Sequence, residues 1–133
     1  MQSYNLFLDD YRYPKHCFEY INDKRYTESE WIIVRSHDEF IQVLEKKWEE
    51  GSFPVLVSFD HDLDHEHYDP SMFVGVDAYE YKYKDFEIPT GRRAAEYLVN
   101  FCEKNLLPLP ECLIHTMNPA GKIRIQNTLS REH

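Results

Sequence analysis

The sequence predicts an α/β domain built on a mostly parallel sheet. Four short apolar runs, 4–8, 31–35, 55–59 and 113–115, read as strands. Amphipathic helical stretches and long connections separate them, which suits βαβ crossovers rather than hairpins. The run VLVSF at 55–59 is apolar through most of its length, as expected of a central strand covered on both faces. A chain of 133 residues has room for one domain, 1–133, and not for a second core of ordinary size.

Each element follows from local pattern. The first strand ends in Asp9-Asp10, and the segment 11–30 after it shows no clean helical stripe although a crossover is needed there. The β-branched second strand runs into Ser36-His37-Asp38-Glu39, a capping-box pattern that opens a helix over 38–50. Phe40, Ile41, Leu44 and Trp48 form its apolar stripe, and Gly51 suits its end. The third strand ends in Asp60-His61-Asp62. A helix over 91–105 is marked by Ala94, Ala95, Leu98, Phe101 and Cys102, with Thr90 as its cap. The fourth strand ends at His115, and Asn118-Pro119 then caps and opens a last helix running to about Ser130. The segment 64–89 is longer than loops of about 12–15 residues normally grow without structure. It carries Tyr68, Phe73, Tyr79, Tyr81, Tyr83 and Phe86 among many acids, so it is read as an aromatic-rich insertion folded onto the domain or a lid over the site.

Composition narrows the function. Fifteen Lys and Arg against 24 Asp and Glu give a formal charge of -9, which argues against long duplex nucleic acid held through its phosphates. A nucleotide bound through a metal stays open. Aromatic residues at 15% speak for a folded chain rather than an acidic tail. No apolar stretch reaches membrane-spanning length, the N-terminus does not look like a signal peptide, and the three cysteines are widely spaced with no C-x-x-C pair. The expectation is a soluble cytoplasmic protein without membrane or disulfides.

In open parallel sheets the binding crevice lies beyond the carboxyl ends of the strands. Asp9, Asp10, Asp60, His61, Asp62, His115 and Asn118 all fall at or just past such ends, so residues distant in sequence converge on one rim. Asp9, Asp10 and Asp60 make an oxygen-rich set suited to Mg²⁺ or Mn²⁺; the competing reading is a solvated acidic loop. Zn²⁺ bound by His61, His65 and His67 is the less favoured alternative, because His65 and His67 read better as loop residues. His115, just before a helix N-terminus, can donate a proton to a leaving oxygen, although a lone histidine there is more often simply packed. Arg12 can balance the acids or fork onto phosphate. Arg92-Arg93, in the first turn of a helix whose dipole they oppose, either face solvent, the favoured reading, or meet a phosphate.

The motifs LFLDDYRYP, VSFDHDLD, the later Thr90-Gly91 and HTMNPAGKIRIQNTL follow one another over nearly the whole chain. In that order they resemble the cyclic-phosphate-processing receiver-like domains, a divergent branch of the response-regulator receiver fold. The resemblance implies a receiver-like (flavodoxin-like) three-layer domain and activity on cyclic phosphates in a prokaryotic or phage-infected cell. It makes Asp9 and Asp10 the metal-holding pair and places Asp60 where receivers accept a phosphoryl group. His61, Asp62, His115 and Asn118 fall on positions particular to the branch, and Arg12, Thr90 and Gly121 complete its motif. An ordinary receiver carries a lysine after its last strand; here Lys122, after the NPAG turn, is the only one nearby.

The expected function is therefore a metal-dependent phosphohydrolase or phosphodiesterase acting on a small nucleotide-derived cyclic phosphate. Asp60, His61, Asp62 and His115 would be catalytic; Arg12, Thr90, Asn118 and Gly121 would bind substrate. The rival expectation is a non-catalytic receiver-like module that binds or sequesters a nucleotide or a protein partner.

Overall fold

A computed structural model describes residues 2–61 and 90–130. The insertion read over 64–89, Asp62, and the ligand alternatives His65 and His67 lie outside the described residues. In chain order the elements are β1 (Gln2–Leu8), α1 (Pro14–Ile21), α2 (Arg25–Glu28), β2 (Ile32–Val34), α3 (His37–Glu49), β3 (Ser52–Phe59), α4 (Gly91–Lys104), β4 (Glu111–Ile114) and α5 (Pro119–Ser130). The four strands form one sheet in the order β2-β1-β3-β4, with every pair parallel.

The two-residue period of a strand divides the core. Leu6 and Leu8 of β1, Val57 and Phe59 of β3, and Cys112 and Ile114 of β4 join Phe40, Leu44, Ala94, Leu98 and Ile125 on the face covered by α3, α4 and α5. Phe7 and Leu113 join Cys17, Phe18, Tyr26 and Trp31 on the opposite face, under α1 and α2. Three layers result. Ser58, between Val57 and Phe59, meets Tyr26 and so belongs to the second face.

Most sequence expectations hold. Ser36 accepts a hydrogen bond from the Glu39 backbone N–H and caps α3, while Glu39 reaches back to the Arg35 N–H, one residue before the cap. Gly51 takes φ +84 just beyond α3, where a left-handed conformation ends a helix and a side chain would be strained. Asn118 accepts from the Gly121 N–H at the start of α5. Thr90 takes the extended cap conformation at α4 without a side-chain cap bond.

Two expectations need correction. Segment 11–30 holds α1 and α2. They escape the stripe test because only Pro14 and Cys17 of α1, and only Tyr26 of α2, are buried. α1 ends where Asn22 adopts φ 62 and returns its N–H to the Phe18 carbonyl. β3 also starts earlier than the run VLVSF, at Ser52. Its register against β1 slips between Tyr4 and Asn5: Pro54 faces Tyr4 and Leu56 faces Asn5, leaving Val55 as the extra residue of a bulge. That explains why Val55 is 54% exposed inside an otherwise buried strand. Val55→Ala is expected to change unfolding free energy by no more than about 0.5 kcal/mol. Leu44→Ala, at a position fully enclosed by the larger core, is expected to cost about 2–5 kcal/mol; urea denaturation of both variants checks the contrast.

Candidate metal and phosphate site

Register builds the site. Leu8 of β1 lies beside Phe59 of β3, and Phe59 beside Ile114 of β4, so the three strands end level. The ladder continues one residue further: the Asp60 N–H donates to the Leu8 carbonyl at 2.9 Å and the His115 N–H to the Phe59 carbonyl at 3.0 Å. Asp9, Asp60 and His115 are thus consecutive positions across the sheet edge, and their ligand atoms all lie within 4.8 Å of one another. All three are buried. Asp10, the other half of the acidic pair, is half-buried beside this group and is not one of the three.

Asp9 is fully enclosed and accepts four hydrogen bonds. The backbone N–H groups of Tyr11 and Arg12 donate to Oδ1 at 2.9 and 2.8 Å; Arg12 Nη1 lies 3.3 Å and His115 Nε2 3.1 Å from Oδ2. Burial alone would raise its pKa, but the bonds from His115, Arg12 and Tyr11 outweigh it and hold the carboxyl at about 2. Asp60 accepts from the His61 N–H at 2.9 Å, and its Oδ2 lies 3.9 Å from Arg12 Nη1. Arg12 therefore spans both carboxylates. Its guanidinium also lies over the Tyr11 ring, 4.6 Å from the centroid, and its Nη2 is 3.4 Å from Met117 Sδ. Arg35 donates to the Asp9 and Arg12 carbonyls, which ties this loop to the end of β2.

His115 is equally enclosed. Its ring stacks on Phe7 with centroids 4.5 Å apart and planes 6° from parallel. Nδ1 lies 2.6 Å from Ser58 Oγ, which lies 2.7 Å from the Tyr26 hydroxyl. Tyr20 donates its hydroxyl proton to the His115 carbonyl. Burial pushes the imidazole pKa down against the pull of Asp9, so the ring is neutral near pH 7.

His61 is 1% exposed and wedged by glycine. A Cβ built on Gly121 would stand 2.4 Å from His61 Cγ, and one on Gly91 would stand 1.7 Å from the Asp60 carbonyl oxygen. The Gly91 N–H donates to the His61 carbonyl at 2.8 Å. Both glycines are required by close approach, so the structure gives Gly121 a packing contact with His61. Thr90 is buried at the start of α4, and Asn118 is engaged in turning the chain into α5. Arg92 pairs with Glu96 at 3.8 Å, and Arg93 is exposed. Lys122 is also exposed; the cation beside Asp60 is Arg12.

Sequence reasoning missed Ser58, Tyr26, Tyr20 and Arg35. One signal was available: Ser58 is the single polar residue in the run VLVSF, and a hydroxyl in a central buried strand needs a partner.

The described sheet is a set of parallel strands with helices on both faces and acids at the carboxyl ends, as in receiver-type domains. The family model of the cyclic-phosphate processing receiver domain matches residues 4–131, and the chain belongs to that family. No curated protein and no solved structure matches the chain. The fold is accordingly the receiver-like α/β fold, and no described helix is long and apolar enough to cross a membrane.

Two predictions follow from this geometry. Asp9 has a folded pKa below its ordinary 3.8, so its stabilisation is full above about pH 4 and is lost as pH falls toward 2. The folded pKa of His115 is likewise lowered, so its contribution is complete above its ordinary 6.5 and declines as pH falls below that. Urea midpoints measured from pH 7.5 to 3 should fall in acid, and His115→Gln should flatten the upper part of that slope. A wild-type profile that rises steadily toward acid contradicts both. Separately, Gly91→Ala should destabilise by about 1–3 kcal/mol or more, because α4 must back away from Asp60; thermal and urea unfolding measure it.

Proposed function

We propose that the chain is a metal-dependent phosphohydrolase acting on a small nucleotide-derived cyclic phosphate. The supporting observation is the convergence of the buried Asp9, Asp60 and His115 at one sheet edge, with donor atoms within 4.8 Å of one another. Oxygen donors at that spacing fit a hard divalent cation, Mg²⁺ or Mn²⁺, held by Asp9 and Asp60 with Asp10 alongside. Such a cation supplies Lewis acidity toward a phosphate oxygen and a bound water of lowered pKa.

The chain's own residues do the remainder. Arg12, whose guanidinium is drawn to the same carboxylates, is placed to fork onto a phosphate oxygen once a second cation shares its charge partners. His115 presents Nε2 beside Asp9; taken up to the imidazolium it would give that proton to the departing sugar oxygen and return to the neutral ring. His61, fixed by Gly121, holds the Asp60 end of the pocket. Asn118 shapes the start of α5 beside them.

The test is release of a phosphomonoester from 2′,3′-cyclic nucleotides and cyclic dinucleotides, with Mg²⁺ and with Mn²⁺. Turnover is expected with a divalent cation, and His115→Gln should lower kcat by about 10²–10⁴-fold, the usual worth of a positioned proton donor. Inactivity on every cyclic phosphate with either metal would sink the hydrolase reading. Recovery of unaltered ligand from a tight complex would then favour the binding module.

A further inference from the structure

Asp9, His115 and Ser58 stand at the pair distances of a nucleophilic triad: 3.1 Å from Asp9 Oδ2 to Nε2, and 2.6 Å from Nδ1 to Ser58 Oγ. The Ser58 oxygen, on the face under α1 and α2, is engaged from both sides, by His115 Nδ1 and by the Tyr26 hydroxyl, so it is not read as a nucleophile.

Hydrogen-bond polarity gives these hydroxyls a different role. Suppose the neutral imidazole carries its proton on Nε2. Tyr26 then donates to Ser58, Ser58 donates to Nδ1, and Nε2–H donates to Asp9: three protons meet three acceptors. Place the proton on Nδ1 instead and the chain reverses. Nδ1–H donates to Ser58 and Ser58 donates to Tyr26. The Tyr26 proton is left with no acceptor among the described contacts, and the Nε2 lone pair faces the Asp9 carboxylate. Burial disfavours groups left in that state, because nothing replaces the hydrogen bonds they would make to water. The phenol of Tyr26 is itself held protonated by burial.

We propose that Ser58 and Tyr26 are positioning residues that fix His115 as the Nε2–H tautomer, a hydrogen-bond donor at the strand-end edge, and leave cation binding to the carboxylates. This rests on the phosphate-processing reading only for the use of that proton. The tautomer itself follows from the hydrogen bonds. It also separates His115 from the role its distances would equally suit, a metal ligand, since ligation needs the Nε2 lone pair.

The experiment is a ring ¹H–¹⁵N correlation spectrum of the full chain with ¹⁵N-histidine, with His115 assigned by its loss in His115→Gln. The expected result is a single tautomer protonated at Nε2, retained when Mg²⁺ is added. In Ser58→Ala the Nδ1 resonance should move toward the value of an unbonded nitrogen, and Nε2–H should exchange faster with water. Ser58→Thr, which keeps the hydroxyl, should restore both. Tyr26→Phe should give a smaller change of the same sign. A proton found on Nδ1 overturns the proposal. So does loss of the Nε2 proton on Mg²⁺ binding, or ring nitrogens unmoved in Ser58→Ala. If that variant does not fold, the wild-type spectrum and Tyr26→Phe still decide. A chain that hydrolyses no cyclic phosphate yet shows the Nε2–H tautomer fails the functional reading and keeps this one.

Discussion

A carboxylate with no solvent exposure is the constraint around which this domain is arranged. Removing an ion of that kind from water costs several kcal/mol unless partners replace the hydration. Asp9 finds them in two of the next three residues, Tyr11 and Arg12, and in one residue more than a hundred positions away. The Tyr11 and Arg12 amides can reach Oδ1 only if the chain turns sharply after β1. Arg35 holds that turn from β2. The turn in turn sets where Pro14 opens α1, and α1 carries the tyrosine that grips the His115 carbonyl. One buried charge thus links the ends of three strands and the first crossover.

Close approach is the second organising fact. Helices α4 and α5 start against the β3 edge so tightly that a methyl group at Gly91 or Gly121 would collide with Asp60 or His61. Their first turns therefore stand beside the acids and not a side chain's width away. This is a packing reason for glycine at both motif positions.

How much of this was legible follows from the range of the forces involved. The strands, α3, α4 and α5 were readable because apolar periodicity and caps are local: Ser36, Gly51 and Asn118 act within four residues of themselves. Asp9, Asp60 and His115 were readable as a set because strand ends in a parallel sheet share one edge. α1 and α2 were not, since two buried residues in one helix and one in the other make no stripe. Nor was the Val55 bulge, which arises from pairing with β1. The Tyr26–Ser58–His115 chain joins three segments on one sheet face, a juxtaposition that only the tertiary fold creates.

Charge arithmetic in the pocket bears on the chemistry proposed for it. Asp9 is ionised, His115 is neutral, and Arg12 contributes a single positive charge between Asp9 and Asp60. Two carboxylates, Asp9 and Asp60, thus face the one guanidinium of Arg12, and Asp10 borders them. At about 4 Å and an effective dielectric near 20, each unit-charge pair is worth about 4 kcal/mol. A phosphate approaching this rim alone meets net repulsion of that order. A divalent cation bound there, as proposed, would add two positive charges, offset the excess of carboxylates over Arg12 and release part of Arg12's attraction for them. The overall charge of -9 would then cease to oppose a phosphate, because the anion would meet a cation held by the acids, with Arg12 beside them.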